Sequence, residues 1–482
     1  MTPKKEIFIG RQEELRRLKD LTRKASSSIV VIHGRRRVGK SRMIEEFAKD
    51  YRFLRFSGLP VTKKTTEQSQ RDEFARQLCR ELGFPEMKMQ DWSNLFSLLA
   101  KETKTGRVVI LLDEISWMGS KDDDFLGKLK NIWDMELKHN PELILILCGS
   151  VSSWIQTNIL DSAGFMGRIS LTIFLKELSL QECNQFLNAI EFRGSDYDKF
   201  KLLSVTGGIP RYLEEIKPHM PAEANIQELC FQEGGVLFEE FDDMFSDLFS
   251  SRGPTYKKIV SLLVNGSKEL LEIAKGCKVE ATAHLSECLH DLEQLGLIRR
   301  DFRWNIKSKK QSRLSHYRLC DNYLRFYLKY IFPNVENIKS KKIPLLTWGT
   351  LPLWETMMGL QFENLILSSR HLIWKNLPFS PHDIVCDNPF FQKKNTRSKG
   401  CQIDYLIQTR YNNLFVCEVR FSKNRIDVDI IDEMKEKIAR INLPRGFSCF
   451  PVLIHVNGVT DSVIESEYFS QIIDFSTLLL NS

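Results

Sequence analysis

The 482-residue sequence predicts an α/β protein whose first domain is a parallel β-sheet with helices on both faces. Three short apolar runs, 29–33, 108–112 and 143–148, alternate with amphipathic segments, as strands and helices do in βαβ units. Apolar runs without polar alternation are typical of strands that are buried on both faces. The pattern changes near residue 256 and again near residue 359, which predicts further domains after this sheet.

The composition is that of an ordinary globular protein. Hydrophobic residues make up 42% and charged residues 27% of the chain, which excludes a largely disordered chain, a collagen and a small disulfide-stapled module. The longest wholly apolar run, 143–148, is far shorter than the roughly 18 residues of a membrane-spanning helix, and the first residues lack a signal-peptide pattern. The eleven cysteines form no CxxC pair, so we expect buried free thiols in a cytoplasmic protein without a membrane partner.

Residues 34–41 fit the phosphate-loop pattern GxxxxGK[ST] at every fixed position. They connect the run 29–33 to a predicted helix over 42–51, which is the context that the motif requires. Backbone N–H groups of such a loop and of the following helix can surround phosphates. The residues expected to do so are Gly34, Arg35, Arg36, Arg37, Val38, Gly39, Lys40, Ser41 and Arg42. Lys40 can also reach the β- and γ-phosphates and the Ser41 hydroxyl can bind Mg²⁺, so the motif predicts ATP and Mg²⁺ as cofactors.

Polar side chains end the next two apolar runs, where α/β sheets bind their ligands. Asp113 is expected to bind Mg²⁺ through water, and Glu114 to polarise the attacking water as the catalytic carboxylate. The alternative for this pair is a helix N-cap. Ser150, at the end of 143–148, is expected to lie beside the γ-phosphate as a sensor.

Two arginines are candidates for contacting the γ-phosphate, Arg168 and Arg211. Such a contact can accelerate hydrolysis by about 10³-fold or more. An ordinary ion pair is an equally weighted alternative for each of them, so the sequence does not choose between the two roles.

Together these segments resemble the archaeal-type ATPase family, which belongs to the AAA+/STAND group of P-loop ATPases and also occurs in bacteria. The resemblance covers about residues 6–220 and rests on Phe8-Ile-Gly-Arg11-Gln-Glu-Glu-Leu15, 34–41, Asp113-Glu114, Cys148-Gly-Ser150, Gly167-Arg168 and Gly207-Gly-Ile-Pro210. It implies ATP binding and hydrolysis, with Gly10 and Arg11 near the adenine and Pro210 packed on it. The resemblance continues more weakly to the C-terminus, where the family often carries a PD-(D/E)XK nuclease-like domain, and 317–326 resembles the linker that precedes it.

A winged-helix pattern follows the ATPase-like region. Three helical segments, near 256–264, 267–275 and 280–295, precede strand-like basic residues. The third segment carries four acidic residues and no Lys or Arg, which argues against readout of the DNA major groove. The stretch 299–342 holds thirteen Lys or Arg and three acidic residues. The wing at its start, residues 299–313 with Phe302 and Trp304 interleaved, could grip phosphates without sequence preference. The alternative is a protein-contact domain with a solvated wing.

Near the C-terminus, strands over 402–407 and 414–420 predict a hairpin centred on Tyr411. This register would place Asp404 opposite Glu418, with Arg420 on the same face. Two opposed carboxylates repel each other unless a cation lies between them.

The hairpin resembles the Mg²⁺-binding hairpin of PD-(D/E)XK nucleases, and this resemblance makes Glu363 an accessory carboxylate. Arg420 stands where the motif has lysine; it stays charged but differs from lysine in size and hydration, and Lys423 or Lys435 could reach in instead. An active nuclease, a non-cutting nuclease fold and an unrelated α/β domain all stay open. The region 379–400, rich in Pro, Asn and Lys, is expected to be a loop.

The sequence thus predicts four domains and an ATP-driven function. The domains are a P-loop ATPase core over 1–180, a helical lid over 181–250, a winged helix over 251–325 and a restriction-endonuclease-like α/β domain over 326–482. The predicted function is that of an ATP-hydrolysing protein that acts on DNA, mainly through phosphate contacts. The alternative is an ATP-controlled signalling or assembly switch with an inactive nuclease-like domain and no DNA substrate. The oligomeric state stays open, and a homo-oligomer is among the expectations.

Overall fold

The structure is a computed structural model that describes residues 7–150, 152–248, 253–340, 351–394 and 399–480. The chain divides into two compact units, Met1–Glu177 with Gln294–Gly296 and Leu178–Glu293 with Leu297–Ser482. The finer division of the second unit into a lid, a winged helix and a nuclease-like domain therefore stays a prediction. No helix in the described part of the chain combines the length and the apolar character needed to cross a membrane.

In the described residues of the first unit, five parallel strands form one sheet in the spatial order β2-β3-β4-β1-β5. The strands are β1 (Ser28–His33), β2 (Arg52–Ser57), β3 (Val108–Asp113), β4 (Ile144–Gly149) and β5 (Ile169–Phe174). The helices are α1 (Gln12–Leu21), α2 (Lys40–Ala48), α3 (Glu67–Leu82), α4 (Trp92–Glu102), α5 (Ile115–Met118), α6 (Phe125–Met135) and α7 (Ser152–Ile155), with a 3₁₀ turn at Leu137–His139 and a π-helical turn at Gln156–Leu160. The predicted α/β class is confirmed.

The burial of each strand explains why some strands could be predicted from the sequence and others could not. Every residue of β1, β3 and β4 is buried, as expected for central strands of a parallel sheet covered on both faces. Sequence analysis did not find β2 and β5, which lie at the two edges and bury only some of their residues. Their mixed polar and apolar residues lack the continuous run that marks the central strands.

The second unit holds two sheets and most of the helices. Its strands are β6 (Lys268–Glu269), β7 (Ile298–Asn305), β8 (Lys310–Leu319), β9 (Ile384–Gln392), β10 (Cys401–Thr409), β11 (Asn413–Arg420), β12 (Ser448–His455) and β13 (Gln471–Asp474). Its helices are α8 (Leu180–Ala189), α9 (Asp196–Thr206), α10 (Pro210–Leu213), α11 (Ala222–Cys230), α12 (Val236–Leu248), α13 (Gly253–Leu262), α14 (Leu270–Cys277), α15 (Ala283–Gln294), α16 (Asn322–Phe326), α17 (Val335–Lys339), α18 (Trp354–Ser368), α19 (Arg370–Lys375), α20 (Asp429–Arg440), α21 (Asp461–Glu465) and α22 (Phe475–Leu479), with a π-helical turn at Tyr327–Ile331 and 3₁₀ turns at Phe332–Asn334 and Pro381–Asp383.

The two sheets of the second unit differ in topology. The smaller sheet is antiparallel in the order β6-β8-β7, and α13, α14 and α15 lie beside it in the sequence. The larger sheet has the order β13-β12-β11-β10-β9. Strands β9, β10 and β11 are antiparallel, whereas β11, β12 and β13 are parallel and α20 connects β11 to β12.

The expectation of a loop over 379–400 is wrong, because β9 occupies Ile384–Gln392 and pairs with β10. Pro389 lies inside this strand, which is an unusual place for a residue that cannot donate to a β-ladder. The strand tolerates it because β9 is an edge strand and its pairing with β10 shifts register near this residue.

The basic wing is less exposed than its sequence indicated. Trp304 is 5% exposed, packs edge-on against Phe390 and donates its indole N–H to Gln408 Oε1 at 2.8 Å. Farther along the basic stretch 299–342, Arg318 on β8 and Arg325 on α16 are also buried, and they bind Asp301 and the Leu360 carbonyl, respectively. Trp304 therefore joins the wing to the β9–β10 hairpin, and phosphate contact by the wing stays a prediction.

Candidate functional site

The segment between β1 and α2 forms a tight loop whose shape depends on glycine. Gly34 has φ +150° and Gly39 has φ +89°, both in the region that side chains disfavour. A Cβ at Gly34 would collide with the carbonyl oxygen of Leu175. The chain can therefore turn here and present backbone N–H groups ahead of α2, which begins at Lys40.

Lys40 lies inside this loop. Lys40 is 6% exposed. Its ammonium donates to the carbonyls of Gly34 and Arg35, each at 3.0 Å, and to Ser150 Oγ at 2.9 Å. The predicted loop lysine and the predicted sensor serine are thus brought into direct contact. A positive charge held among backbone carbonyls and a hydroxyl is suited to binding a phosphate oxygen.

Ser41 and Asp113 lie together at the start of α2 and the end of β3. Ser41 Oγ donates to Asp113 Oδ2 at 3.0 Å. A hydroxyl and a carboxylate are hard oxygen ligands of the kind that Mg²⁺ prefers, so this pair fits the expected nucleotide-bound metal.

Arg55 was missed by the sequence analysis. It lies on β2, paired in register with Leu111, and donates to Asp113 Oδ2 at 2.8 Å and to Glu45 Oε1 at 2.6 Å. The same carboxylate oxygen thus accepts from both Ser41 and Arg55. An isolated arginine on an unrecognised edge strand gives no motif by which it could be found.

Glu114 turns toward the other side of the site. Its backbone has φ +51°, and its carboxylate accepts hydrogen bonds from Ser150 Oγ at 2.9 Å and from the Ser150 N–H at 3.2 Å. Glu114 occupies the N-cap position of α5, but its side chain makes no capping hydrogen bond, so the N-cap alternative does not account for this carboxylate. Burial raises its pKa, while the Lys40 ammonium and the Ser150 hydroxyl oppose the rise.

The two candidate sensor arginines are engaged in ion pairs. Arg168 donates to both carboxylate oxygens of Asp134, at 3.0 and 2.8 Å, which lowers the pKa of that carboxyl to about 2. Arg211 pairs with Glu214 at 3.2 Å and Glu215 at 2.7 Å. The ordinary ion pair, which the sequence left as an equal alternative, describes both residues here, and a sensor role stays a prediction.

The residues implied at the adenine lie in different units. Gly10 and Arg11 both have positive φ, +76° and +61°, directly before α1. Arg11 is buried and donates to the carbonyl of Val38 at 3.0 Å, so it braces the phosphate loop itself. Pro210 is the first residue of α10 in the second unit, and its adenine contact stays a prediction.

The C-terminal hairpin has the predicted register. Tyr405 pairs with Cys417 and Leu406 with Val416, which centres the hairpin on Tyr411 and brings Asp404 opposite Glu418. Asp404 is half-buried and accepts the Val419 N–H at 3.0 Å.

Lys437 of α20 binds Glu418, whose carboxylate is 3% exposed. Burial raises the pKa of Asp404 to about 6 and that of Glu418 to about 7, and the Lys437 charge opposes both shifts. Sequence analysis expected Lys423 or Lys435 here. Lys435 instead donates to Asp432 at 3.1 Å. It lies two residues before Lys437 on the same helix, so its side chain projects from a different face of α20.

The accessory residues of this hairpin do not complete a metal centre. Burial raises the pKa of Glu363 on α18, and its charge raises that of Asp404, so these carboxylates share one neighbourhood. Arg420 pairs with Glu433 at 3.4 Å. Across the described ranges of the chain, no three His, Cys, Asp or Glu side chains are grouped closely enough to hold a metal ion. The Mg²⁺ role of Asp404 and Glu418 therefore stays a prediction.

Comparison with known proteins connects these observations to a family. Residues 8–216 match the family model described as an ATPase domain predominantly from Archaea. An uncharacterised protein of Methanocaldococcus jannaschii is 24% identical over 336 residues, which are 69% of this chain and 71% of that protein. The Walker-type ATPase of Pyrococcus abyssi has a similar fold, with a TM-score of 0.50 and 16% identity over 67% of this chain and 97% of the other. Residues 8–216 of this chain are therefore similar to an ATPase domain that occurs predominantly in Archaea, and the fold is that of P-loop ATPases.

Proposed function

We propose that the first unit binds ATP and Mg²⁺ and hydrolyses the nucleotide. The observation that carries this proposal is the Ser150 hydroxyl, which joins the loop lysine to the candidate catalytic carboxylate at 2.9 Å on each side. The Ser41–Asp113 pair lies beside it and offers oxygen ligands for the metal. Polar groups from α2 and from the ends of β3 and β4 thus converge where parallel sheets bind ligands.

The residues divide the chemistry between them. Bound Mg²⁺-ATP would supply the phosphoryl group and the charge neutralisation that its transfer needs. Lys40 binds phosphate oxygens, and Ser41 with Asp113 holds the metal side of the site. Glu114, held by two hydrogen bonds from Ser150, orients the attacking water and accepts its proton.

Two substitutions test this assignment. Lys40→Ala should abolish ATP binding measured by titration calorimetry, because it removes the charge inside the loop. Glu114→Gln should keep ATP binding and lower turnover by about 10²-fold or more, as expected for loss of a general base. Glu142→Gln, which alters a half-exposed glutamate paired with Arg107, is the matched control. Unchanged ATP affinity in Lys40→Ala, or full turnover in Glu114→Gln, would contradict the site.

For the second unit, we infer an action on DNA through phosphate contacts. Its elements α13, β6, α14, α15, β7 and β8 follow the helix and strand order of a winged helix, which supports that prediction. Helix α18, the β9–β11 meander, α20 and β12 follow the order expected for a nuclease-like fold. Exposed basic residues remain on the wing at Arg299, Lys307, Lys310 and Arg313. Such contacts would give salt-dependent binding without sequence preference.

Binding is better supported than cutting. The Glu418 carboxylate is held by Lys437, and Arg420 stands where the nuclease motif has lysine. Plasmid incubated with the protein and Mg²⁺ or Mn²⁺, with and without ATP, should stay intact. Cleavage that disappears in Asp404→Ala would contradict a non-cutting fold and establish the hairpin as a nuclease site. Cleavage that persists in that variant would assign the activity elsewhere.

The second candidate function is an ATP-controlled signalling or assembly switch without DNA. The absence of Lys and Arg from the third helical segment, and the burial of Trp304, favour it. DNA that binds the protein and changes its ATPase rate would favour the first function. A change of sedimentation coefficient between ATP and ADP, with no effect of DNA, would favour the switch and a homo-oligomer.

A further inference from the structure

The carboxylate that ends β3 is contacted from two other elements of the first unit. Asp113 is buried, with 6% of its side chain exposed. Its Oδ2 atom accepts hydrogen bonds from Ser41 Oγ on α2 at 3.0 Å and from Arg55 Nη2 on β2 at 2.8 Å. A carboxylate oxygen has about two lone-pair sites, so these two donors occupy both acceptor positions of Oδ2.

Arg55 reaches Asp113 because of the register between β2 and β3. Arg55 pairs with Leu111, which lies two residues before Asp113 on the neighbouring parallel strand. Side chains two residues apart share one face of a sheet, so Arg55 and Asp113 lie on the same face. The Arg55 side chain is 41% exposed, which leaves it room to change position while the buried carboxylate stays in place.

Glu45 gives Arg55 a second carboxylate partner. Arg55 Nη1 donates to Glu45 Oε1 at 2.6 Å, while Nη2 donates to Asp113. Glu45 lies on α2, one helical turn after Ser41. Because the guanidinium carries several N–H donors in a fixed fork, Arg55 can keep its bond to Glu45 when it releases Asp113.

Arg55 and a metal ion have the same use for Asp113. The Ser41–Asp113 pair is the part of the site that fits Mg²⁺, and a cation bonded to Asp113 Oδ2 both occupies that oxygen and repels a second cation. We propose that Arg55 is a positioning residue that holds Asp113 in the metal-free chain and competes with Mg²⁺ for it. Glu45 favours the release of Asp113 by retaining Arg55. This proposal rests on the Mg²⁺-ATP binding proposed above for the first unit.

The test measures how much Mg²⁺ strengthens nucleotide binding. A fluorescent, non-hydrolysable ATP analogue is titrated with the full chain and followed by anisotropy, in EDTA and at saturating Mg²⁺. The ratio of the Kd in EDTA to the Kd with Mg²⁺ gives the gain in affinity due to the metal. This ratio cancels any effect of a substitution on metal-free binding, and binding in EDTA verifies that each variant is folded.

Arg55→Gln should raise this ratio about fivefold, which corresponds to about 1 kcal/mol, because Mg²⁺ no longer has to displace a cation from Asp113. A merely structural role of Arg55 would not increase the gain due to the metal. Arg52→Gln is the matched control, since Arg52 lies on the same strand and donates to the Glu102 carbonyl. This control should give the wild-type ratio.

Glu45→Gln tests the second partner and should have the opposite effect. Arg55 loses the charge of its other carboxylate and stays at Asp113, so the ratio should fall about twofold. In the double variant Arg55→Gln with Glu45→Gln, the ratio should equal that of Arg55→Gln alone, because Glu45 acts through Arg55.

Three outcomes would overturn the assignment of Arg55 and leave Mg²⁺-nucleotide binding in place. They are an unchanged ratio in Arg55→Gln, a lower ratio in that variant, and an equal effect of Glu45→Gln with and without Arg55. The last result would mean that Glu45 acts through its own charge. A wild-type chain that does not bind the analogue, with or without Mg²⁺, would instead remove the proposed ATP binding and this proposal together.

Discussion

The raised pKa of Asp404 predicts a measurable dependence of stability on pH. The carboxyl has an ordinary pKa of 3.8 and a pKa of about 6 in the folded protein, chiefly because of burial and then because of the Glu363 charge. Between these values the unfolded chain loses its proton while the folded chain keeps it. The contribution of Asp404 to folding stability is therefore most favourable below about pH 4 and falls as the pH rises to about 6.

The amide of Asp404→Asn imitates the protonated carboxyl and removes this penalty. Each pKa unit corresponds to about 1.4 kcal/mol, so the shift of Asp404 amounts to about 3 kcal/mol at pH 8. The amide oxygen can still accept the Val419 N–H, and the Lys437–Glu418 pair stays in place. We expect the variant to be more stable than the wild type at pH 8 and nearly equal to it at pH 4.

Amide hydrogen exchange measures this effect locally. Peptides covering 401–420, which include β10 and β11, are compared between variant and wild type at the same pH in EDTA. Protection should increase up to about 10²-fold at pH 8 and little at pH 4. Asp432→Asn is the control, because its side chain is 84% exposed. Equal protection at pH 8, or lower protection in the variant, would refute the assignment of Asp404 as a destabilising carboxylate.

Three further substitutions test other contacts. Ser150→Ala removes a hydroxyl whose hydrogen bond lowers the pKa of Glu114, so the acidic limb of the ATPase pH profile should move to higher pH, and Ser150→Thr should leave it in place. Arg55→Gln removes a hydrogen-bond donor from the Asp113 carboxylate at the end of β3. Because Arg55 is half-exposed, we expect the free energy of unfolding without nucleotide to fall by about 1 kcal/mol, seen as a lower Tm that Mg²⁺-ATP restores. Trp304→Phe leaves the buried Gln408 Oε1 without its donor and should cost about 1–3 kcal/mol in urea unfolding, and replacing Gln408 by Leu as well should recover part of it.

The central part of the fold could be predicted because its physical requirements leave a local mark in the sequence. A strand buried on both faces is a continuous apolar run, and a phosphate loop needs glycine at fixed positions. Edge strands carry no such mark, since solvent on one side permits polar residues. For this reason β2 and β9 were not predicted, and Pro389 made the sequence of β9 resemble that of a loop.

Charge counting was a poor guide to the surface of the second unit. The stretch 299–342 is strongly basic, but Arg318 and Arg325 bind an internal carboxylate and an internal carbonyl instead of facing solvent. Which basic residues are buried depends on acceptors from distant parts of the chain. Asp301 lies 17 residues from Arg318, and Leu360 lies 35 residues from Arg325. A local count of charges contains none of this information.

The two carboxylate pairs show why their chemistry should differ. Asp113 and Glu114 are consecutive, so one side chain turns to Ser41 and the other to Ser150, and each has its own donor. In such a pair, one carboxylate can bind a metal ion while the other binds the attacking water. Asp404 and Glu418 lie on neighbouring strands with a shared environment, burial raises the pKa of both, and the charge of Lys437 opposes both rises. Because both carboxylates interact with the same ammonium, this pair is suited to holding the Lys437 side chain in place. We therefore expect turnover at the first pair, and we expect the second pair to anchor Lys437.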